Sequence, residues 1–118
     1  MTPPCVLVVD DDLDVRTSLA ALLRARRFTV EVANNGLEAI DAIERLPPAA
    51  IVTDLLMPGL LGNELLEYIA MHDELAHVPI AIVTGSPRHA PPGIPLFRKP
   101  LDPEALVRFL RSATARTR

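Results

Sequence analysis

Five side chains in this sequence have the types and spacing to do chemistry together: Asp10 and Asp11, Asp54, Thr84 and Lys99. Each stands at or just after the end of a short apolar run: Val6 to Val9, Ala50 to Asp54, Pro79 to Val83, and Leu96 to Arg98. Carboxylates gathered at one place repel one another unless a cation joins them. Ligands that are all oxygen select a hard ion, and Mg²⁺ commonly takes one or two carboxylates and fills the rest with water. With Mg²⁺ between Asp11 and Asp54, an Asp54 oxygen becomes a candidate nucleophile for an aspartyl phosphate. Lys99 and Thr84 would then share the charge on the phosphoryl oxygens with the metal. No Gly-rich phosphate loop is present, so the phosphoryl donor is expected to be a second protein or a small phosphorylated molecule.

The elements that must position these groups follow from the pattern of apolar residues. Ile51-Val52-Thr53-Asp54 continues into Leu55-Leu56-Met57-Pro58-Gly59, a run that reads as a strand buried on both faces and stopped by a Pro-Gly turn. From Leu13 the period becomes helical, with Val15, Leu19, Leu22 and Leu23 on one face, and Asp12 or Asp14 suits its start. Thr29 to Ala33 predicts a second strand, Asn34-Asn35-Gly36 a turn, and Leu37, Ile40 and Ile43 a shorter helix closed by Pro47-Pro48. Leu65, Leu66 and Ile69 predict a third helix from about Asn63 to His72. Asp102-Pro103-Glu104 opens a last helix with Leu106, Val107, Phe109 and Leu110 inward, and the tail 112–118 is expected to fray. Between Gly85 and Leu96 the prolines at 87, 91, 92 and 95 exclude a full helix. Alternating strands and helices imply a parallel sheet with helices on both faces and its ligand edge at the strands' carboxyl ends.

Composition narrows the rest. The chain has 118 residues, 49% apolar and 23% charged, which suits one globular domain spanning 1–118. A net charge of −3 gives no general attraction to nucleic acid. The single Cys5 excludes an internal disulfide, fits a reducing compartment and reads as a small buried hydrophobe. No signal-peptide or membrane-spanning stretch is recognisable, and a cytoplasmic location is expected. His72, His77 and His89 lack zinc-ligand spacing and read as surface residues.

On Val8-Val9-Asp10-Asp11-Asp12, Asp54 with Met57-Pro58, Thr84-Gly85 and Lys99-Pro100, the sequence resembles the receiver domain of two-component response regulators over essentially its whole length. The resemblance implies an α/β, flavodoxin-like, doubly wound fold with a five-stranded parallel sheet in the order 2-1-3-4-5. It implies Mg²⁺ held by Asp11, Asp54 and the Leu56 backbone carbonyl, Asp10 acting mainly through water, and a cis peptide at Lys99-Pro100. Asp54 would be phosphorylated by a sensor histidine kinase or histidine phosphotransfer protein. The only reactions would be the chain's own phosphoryl transfer and slow dephosphorylation, so it is not an enzyme in the usual sense. A downstream effector of unknown identity, no direct nucleic-acid or membrane contact, and a monomer or weak dimer complete the expectation. No output domain is expected after the last helix, as in a stand-alone receiver or an excised part of a longer protein.

The sequence departs from the family pattern at three places. Leu96 stands where the signalling aromatic is usual, with Phe97 one position off. Leu61-Gly62 replaces an acidic residue before the glycine. The fourth helix is expected to be short or replaced by a mobile loop at Pro87 to Pro95, ordering on phosphorylation. Two other classes compete with this reading. A phosphorylation-independent pseudo-receiver shares the fold. A haloacid-dehalogenase-type phosphatase would use Asp12-Leu13-Asp14-Val15, but that motif should begin at the strand end, which Asp10 occupies.

Overall fold

The computed structural model describes residues 3–54, 62–85 and 92–115. Its strands are β1 (Cys5–Val9), β2 (Thr29–Ala33), β3 (Ala50–Thr53), β4 (Ile80–Thr84) and β5 (Leu96–Arg98). Its helices are α1 (Leu13–Ala25), α2 (Gly36–Arg45), α3 (Gly62–Ala70) and α4 (Pro103–Ala115), with a turn of 3₁₀ helix at Asp73–Leu75. All strand pairs are parallel, in the order β2-β1-β3-β4-β5. The order expected from the family resemblance is therefore observed.

Because successive strand residues face opposite ways, the apolar runs feed two cores. Val6, Val8, Val30, Val52 and Val83 pack under α1 and α4 with Leu19, Leu23, Leu106 and Leu110. Leu7, Val9, Ala33 and Ile51 pack under α2 and α3 with Ala39, Ile43, Leu65 and Ile69. Strands covered on both faces must be apolar at nearly every position, which is why they read as continuous runs.

The helix starts are written locally. Asp12 accepts from the N–H groups of Asp14 and Val15, at 2.9 and 3.2 Å, and starts α1. Asn35 caps α2 through Glu38 N–H, while Glu38 Oε1 reaches back to Asn34 N–H at 2.7 Å. Asp102 receives the N–H groups of Glu104 and Ala105, and Pro103 occupies the first position of α4.

Several expectations are corrected. Leu37 is 62% exposed, so the buried face of α2 is set by Ala39, Ala42 and Ile43 with Ile40 beside it. The tail remains helical through Ala115, because Thr114 is buried and its hydroxyl donates to the Leu110 carbonyl at 2.7 Å. Asp54 lies just past β3, although its N–H still donates to the Val9 carbonyl at 3.2 Å. Between β4 and β5 no helix occurs among the described residues; the chain turns at Pro92–Gly93, where Gly93 takes φ +87°. Residues 86–91 of the expected loop lie outside the described residues.

The end of α1 contains a non-glycine residue in the left-handed region, Arg27 at φ +72°. Phe28 N–H donates to Leu23 and Arg27 N–H to Arg24, so the carbonyls at the helix end are satisfied and Phe28 is folded back onto Leu23 in the core. Arg27 is exposed. Its side chain contributes little packing, while its Cβ crowds the following carbonyl. Arg27→Gly should therefore stabilise the fold by about 0.5–1 kcal/mol, seen as a melting temperature a few degrees higher. An unchanged or lower melting temperature would show that Arg27 makes a compensating contact.

Candidate functional site

The polar strand ends converge. Asp10 follows β1 directly and continues its ladder, with its N–H donating to Ala33 at 3.2 Å. Asp54 follows β3 in the same way, Thr84 ends β4, and Lys99 follows β5 with its N–H donating to the Thr84 carbonyl at 2.9 Å. Asp10, Asp54 and Thr84 are buried, at 3%, 8% and 1% exposure. Asp11, on the bend after Asp10, is exposed. The Lys99–Pro100 peptide is cis.

Lys99 joins the acids. Its Nζ lies 2.9 Å from Asp54 Oδ2 and 3.6 Å from Asp10 Oδ2. The other Asp10 oxygen, Oδ1, accepts from Asp12 N–H at 2.9 Å. Burial pushes the Asp10 carboxyl above its usual range, and the charges of Asp54 and Asp11 add to that; Asp12 N–H and Lys99 pull the other way. For Lys99, partial burial works against the charged form, yet the bond to Asp54 and the nearby Asp10 charge outweigh it, so the ammonium is held above its usual range.

The metal-donor atoms available here are carboxylate oxygens, which match a hard cation and not a thiophilic one. Among the described residues no three His, Cys, Asp or Glu side chains close into a metal cage. Mg²⁺ does not need such a cage, because it keeps several waters and takes one or two carboxylates. The exposed Asp11 and the rim residue Asp54 fit that description. Leu56, the expected carbonyl ligand, lies outside the described residues.

Other candidates resolve as well. Asp12 caps α1 and Asp14 lies in its first turn, so Asp12-Leu13-Asp14-Val15 is a helix start and not a nucleophile motif. Cys5 is half-buried, and burial with the Glu31 charge pushes its thiol up, away from nucleophilic reactivity. His72 is not plain surface. Its ring lies 4.2 Å from that of Tyr68, and its Nδ1 is 2.7 Å from the Tyr68 carbonyl. His77 is exposed, and His89 lies outside the described residues. One residue of the site was not singled out by sequence: Arg16, whose Nη1 donates to the Asp10 carbonyl at 2.8 Å and to Asn34 Oδ1 at 3.0 Å.

Known proteins are similar to this chain in sequence and in fold. The family model described as the response regulator receiver domain matches residues 6–91. The response regulator MprA of a Mycobacterium species is 41% identical over 83 residues, covering 70% of this chain and 35% of MprA. The sensor histidine kinase TmoS of Ectopseudomonas mendocina is 33% identical over 84 residues, covering 71% of this chain and 8% of TmoS. The chain thus spans well under two thirds of these curated relatives. In structure it is similar to the chemotaxis response regulator CheY4 of Vibrio cholerae, with a TM-score of 0.84, 28% identity, and coverage of 95% of this chain and 99% of that one.

The Lys99 contacts generate a stability test that needs no metal or ligand. Lys99→Met leaves the Asp10 and Asp54 carboxylates together without their ammonium and should lower the melting temperature. Asp54→Asn removes one of those charges. In the double variant the losses should therefore be less than additive, with a coupling on the order of 1 kcal/mol. Strict additivity in denaturant unfolding would show that Lys99 does not neutralise Asp54.

Proposed function

Because this chain belongs to the response regulator receiver domain family, we propose that its part in two-component signalling is to accept a phosphoryl group on Asp54. The observation that carries this reading is the Lys99 ammonium, 2.9 Å from Asp54 Oδ2 and 3.6 Å from Asp10 Oδ2 at the carboxyl rim of the sheet. A nucleophilic carboxylate held beside a cation is the arrangement phosphoryl transfer needs, since that reaction depends on positioning and charge neutralisation.

In this mechanism a carboxylate oxygen of Asp54 attacks phosphorus. The phosphorus–nitrogen bond of a phosphohistidine on the kinase or phosphotransfer protein breaks, and its electron pair stays on the imidazole. The Lys99 ammonium then partners an equatorial phosphoryl oxygen, and the Thr84 hydroxyl with nearby backbone N–H groups takes another. Asp11 and Asp54, with the Leu56 carbonyl, would hold Mg²⁺, and Asp10 would act on it through water. Bound there, Mg²⁺ supplies the remaining neutralisation of phosphoryl charge. No outside substrate is turned over beyond slow loss of the phosphoryl group. The partners are a histidine kinase or phosphotransfer protein upstream and an effector downstream. The setting is the cytoplasm, as a monomer or weak dimer. No helix among the described residues is long and apolar enough to cross a membrane.

Incubation with acetyl phosphate and MgCl₂ should raise the intact mass by one HPO₃ group, carried on Asp54, and Asp54→Asn should abolish it. Labelling that persists in Asp54→Asn would overturn the assignment, and an unaltered chain that takes no label would favour a phosphorylation-independent interaction module. The two acids of the first loop should also separate. Asp10 has its oxygens committed to Asp12 N–H and Lys99, while Asp11 is exposed. Asp11→Ala should therefore weaken Mg²⁺ binding more than Asp10→Ala in a calorimetric titration. Equal affinities would reverse the roles given to the pair.

A further inference from the structure

The acidic loop after β1 is held from behind as well as from the front. Asp10 is 3% exposed, so its main-chain carbonyl sits where an unmade hydrogen bond is costly. In a parallel ladder the next donor to that carbonyl would come from β2, but β2 ends at Ala33 and the chain turns into α2. Arg16 Nη1 occupies the donor position at 2.8 Å, and the same nitrogen donates to Asn34 Oδ1 at 3.0 Å. Asn34 is itself fixed, because its N–H donates to Glu38 Oε1 in the first turn of α2. One guanidinium on α1 thus ties the ends of β1 and β2 together at the rim of the site.

That contact sets a peptide plane. The Asp10 carbonyl belongs to the peptide joining Asp10 to Asp11, and its direction determines where the Asp11 side chain can project. On the opposite side the Asp10 carboxylate is fixed by Asp12 N–H and faces Lys99. Arg16 is half-buried and cannot lose its charge, so its hydrogen bonds to the Asp10 carbonyl and Asn34 both come from a permanently protonated guanidinium.

We infer that Arg16 is a positioning residue for the phosphorylation site: by holding the Asp10 carbonyl and Asn34 together it aims the Asp10–Asp11 carboxylates at a divalent cation. This rests on the phosphoacceptor reading of the rim, and it adds to it a residue on α1, outside the strands that carry the reacting atoms.

The test compares the unaltered chain with Arg16→Ala, Arg16→Lys and Asn34→Ala, each first shown by thermal melting to be folded. Two readouts are taken: Mg²⁺ affinity by titration with MgCl₂, and amide hydrogen exchange at Asp12, whose N–H reports the Asp10 carboxylate without metal or phosphoryl donor. Arg16→Ala should weaken Mg²⁺ binding about tenfold, the usual scale for losing a group that orients a ligand, and should speed exchange at Asp12. The limiting rate of acetyl phosphate labelling at saturating Mg²⁺ should fall less than the affinity does. Arg16→Lys should recover part of both losses. Arg16→Ala, or Asn34→Ala should the former fail to fold, matching the unaltered chain in both readouts would overturn the inference. Failure of the unaltered chain to label would count against the phosphoacceptor reading alone, since exchange at Asp12 still decides the role of Arg16.

Discussion

The structure turns on one unfavourable fact, that two buried carboxylates share the rim of the sheet. Asp10 and Asp54 stand on neighbouring strands β1 and β3, each still bonded into the sheet through its backbone N–H. Their repulsion cannot be relieved by moving apart. It is relieved by bringing a cation to them, and the cation must come from a strand on the far side. Lys99 does this from the end of β5, across β4, and its backbone is anchored to Thr84 on the way. The sheet order is therefore also an electrostatic requirement: the strand that carries the ammonium must arrive in register with the strands that carry the acids.

Much of this was legible in the residues because burial on both faces leaves little freedom in composition. A parallel strand under helices on each side reads as an unbroken apolar run, and its first polar residue marks the rim. Val6 to Val9 followed by Asp10, and Ile51 to Thr53 followed by Asp54, are of this kind. Cap residues were legible for a similar reason, since Asp12 and Asp102 satisfy N–H groups only one to three residues away. What was not legible depends on tertiary partners. Leu37 has helical spacing, yet α2 rotates to bury the small residues Ala39 and Ala42, which let it approach the sheet closely. Thr114 looked like part of a polar tail, but bonding its hydroxyl to the Leu110 carbonyl lets it stay buried. Arg16 carried no local signal at all. Its two acceptors are brought together only once β1 and β2 are paired.

The two cations at the rim have different tasks, and their chemistry fits each. Lys99 faces the carboxylates with a compact ammonium on a flexible stem, a group able to shift from one oxygen to another. Arg16 faces the backbone with a planar guanidinium suited to fixed, simultaneous hydrogen bonds. One can follow charge as it moves, while the other keeps the frame still. A lysine at 16 or an arginine at 99 would preserve the formal charge and exchange these properties.

The division of the core has a consequence for how the chain is made. The strands β1, β2 and β3 are adjacent in the sheet and all precede Asp54, so the central ladder can form before β4, β5 and α4 are made. One side of that ladder is served early, because α2 and then α3 follow closely. The other side is served early only by α1: Val6 and Val8 also share their cluster with Leu106, Val107 and Leu110 of α4, which follows β5 in the chain. At a translation rate of about 5–20 residues per second, that surface stays partly open for several seconds after β3 has emerged. During that interval the nascent domain presents an apolar strip flanked by α1, which is the part most exposed to chaperones and to neighbouring chains on the same message.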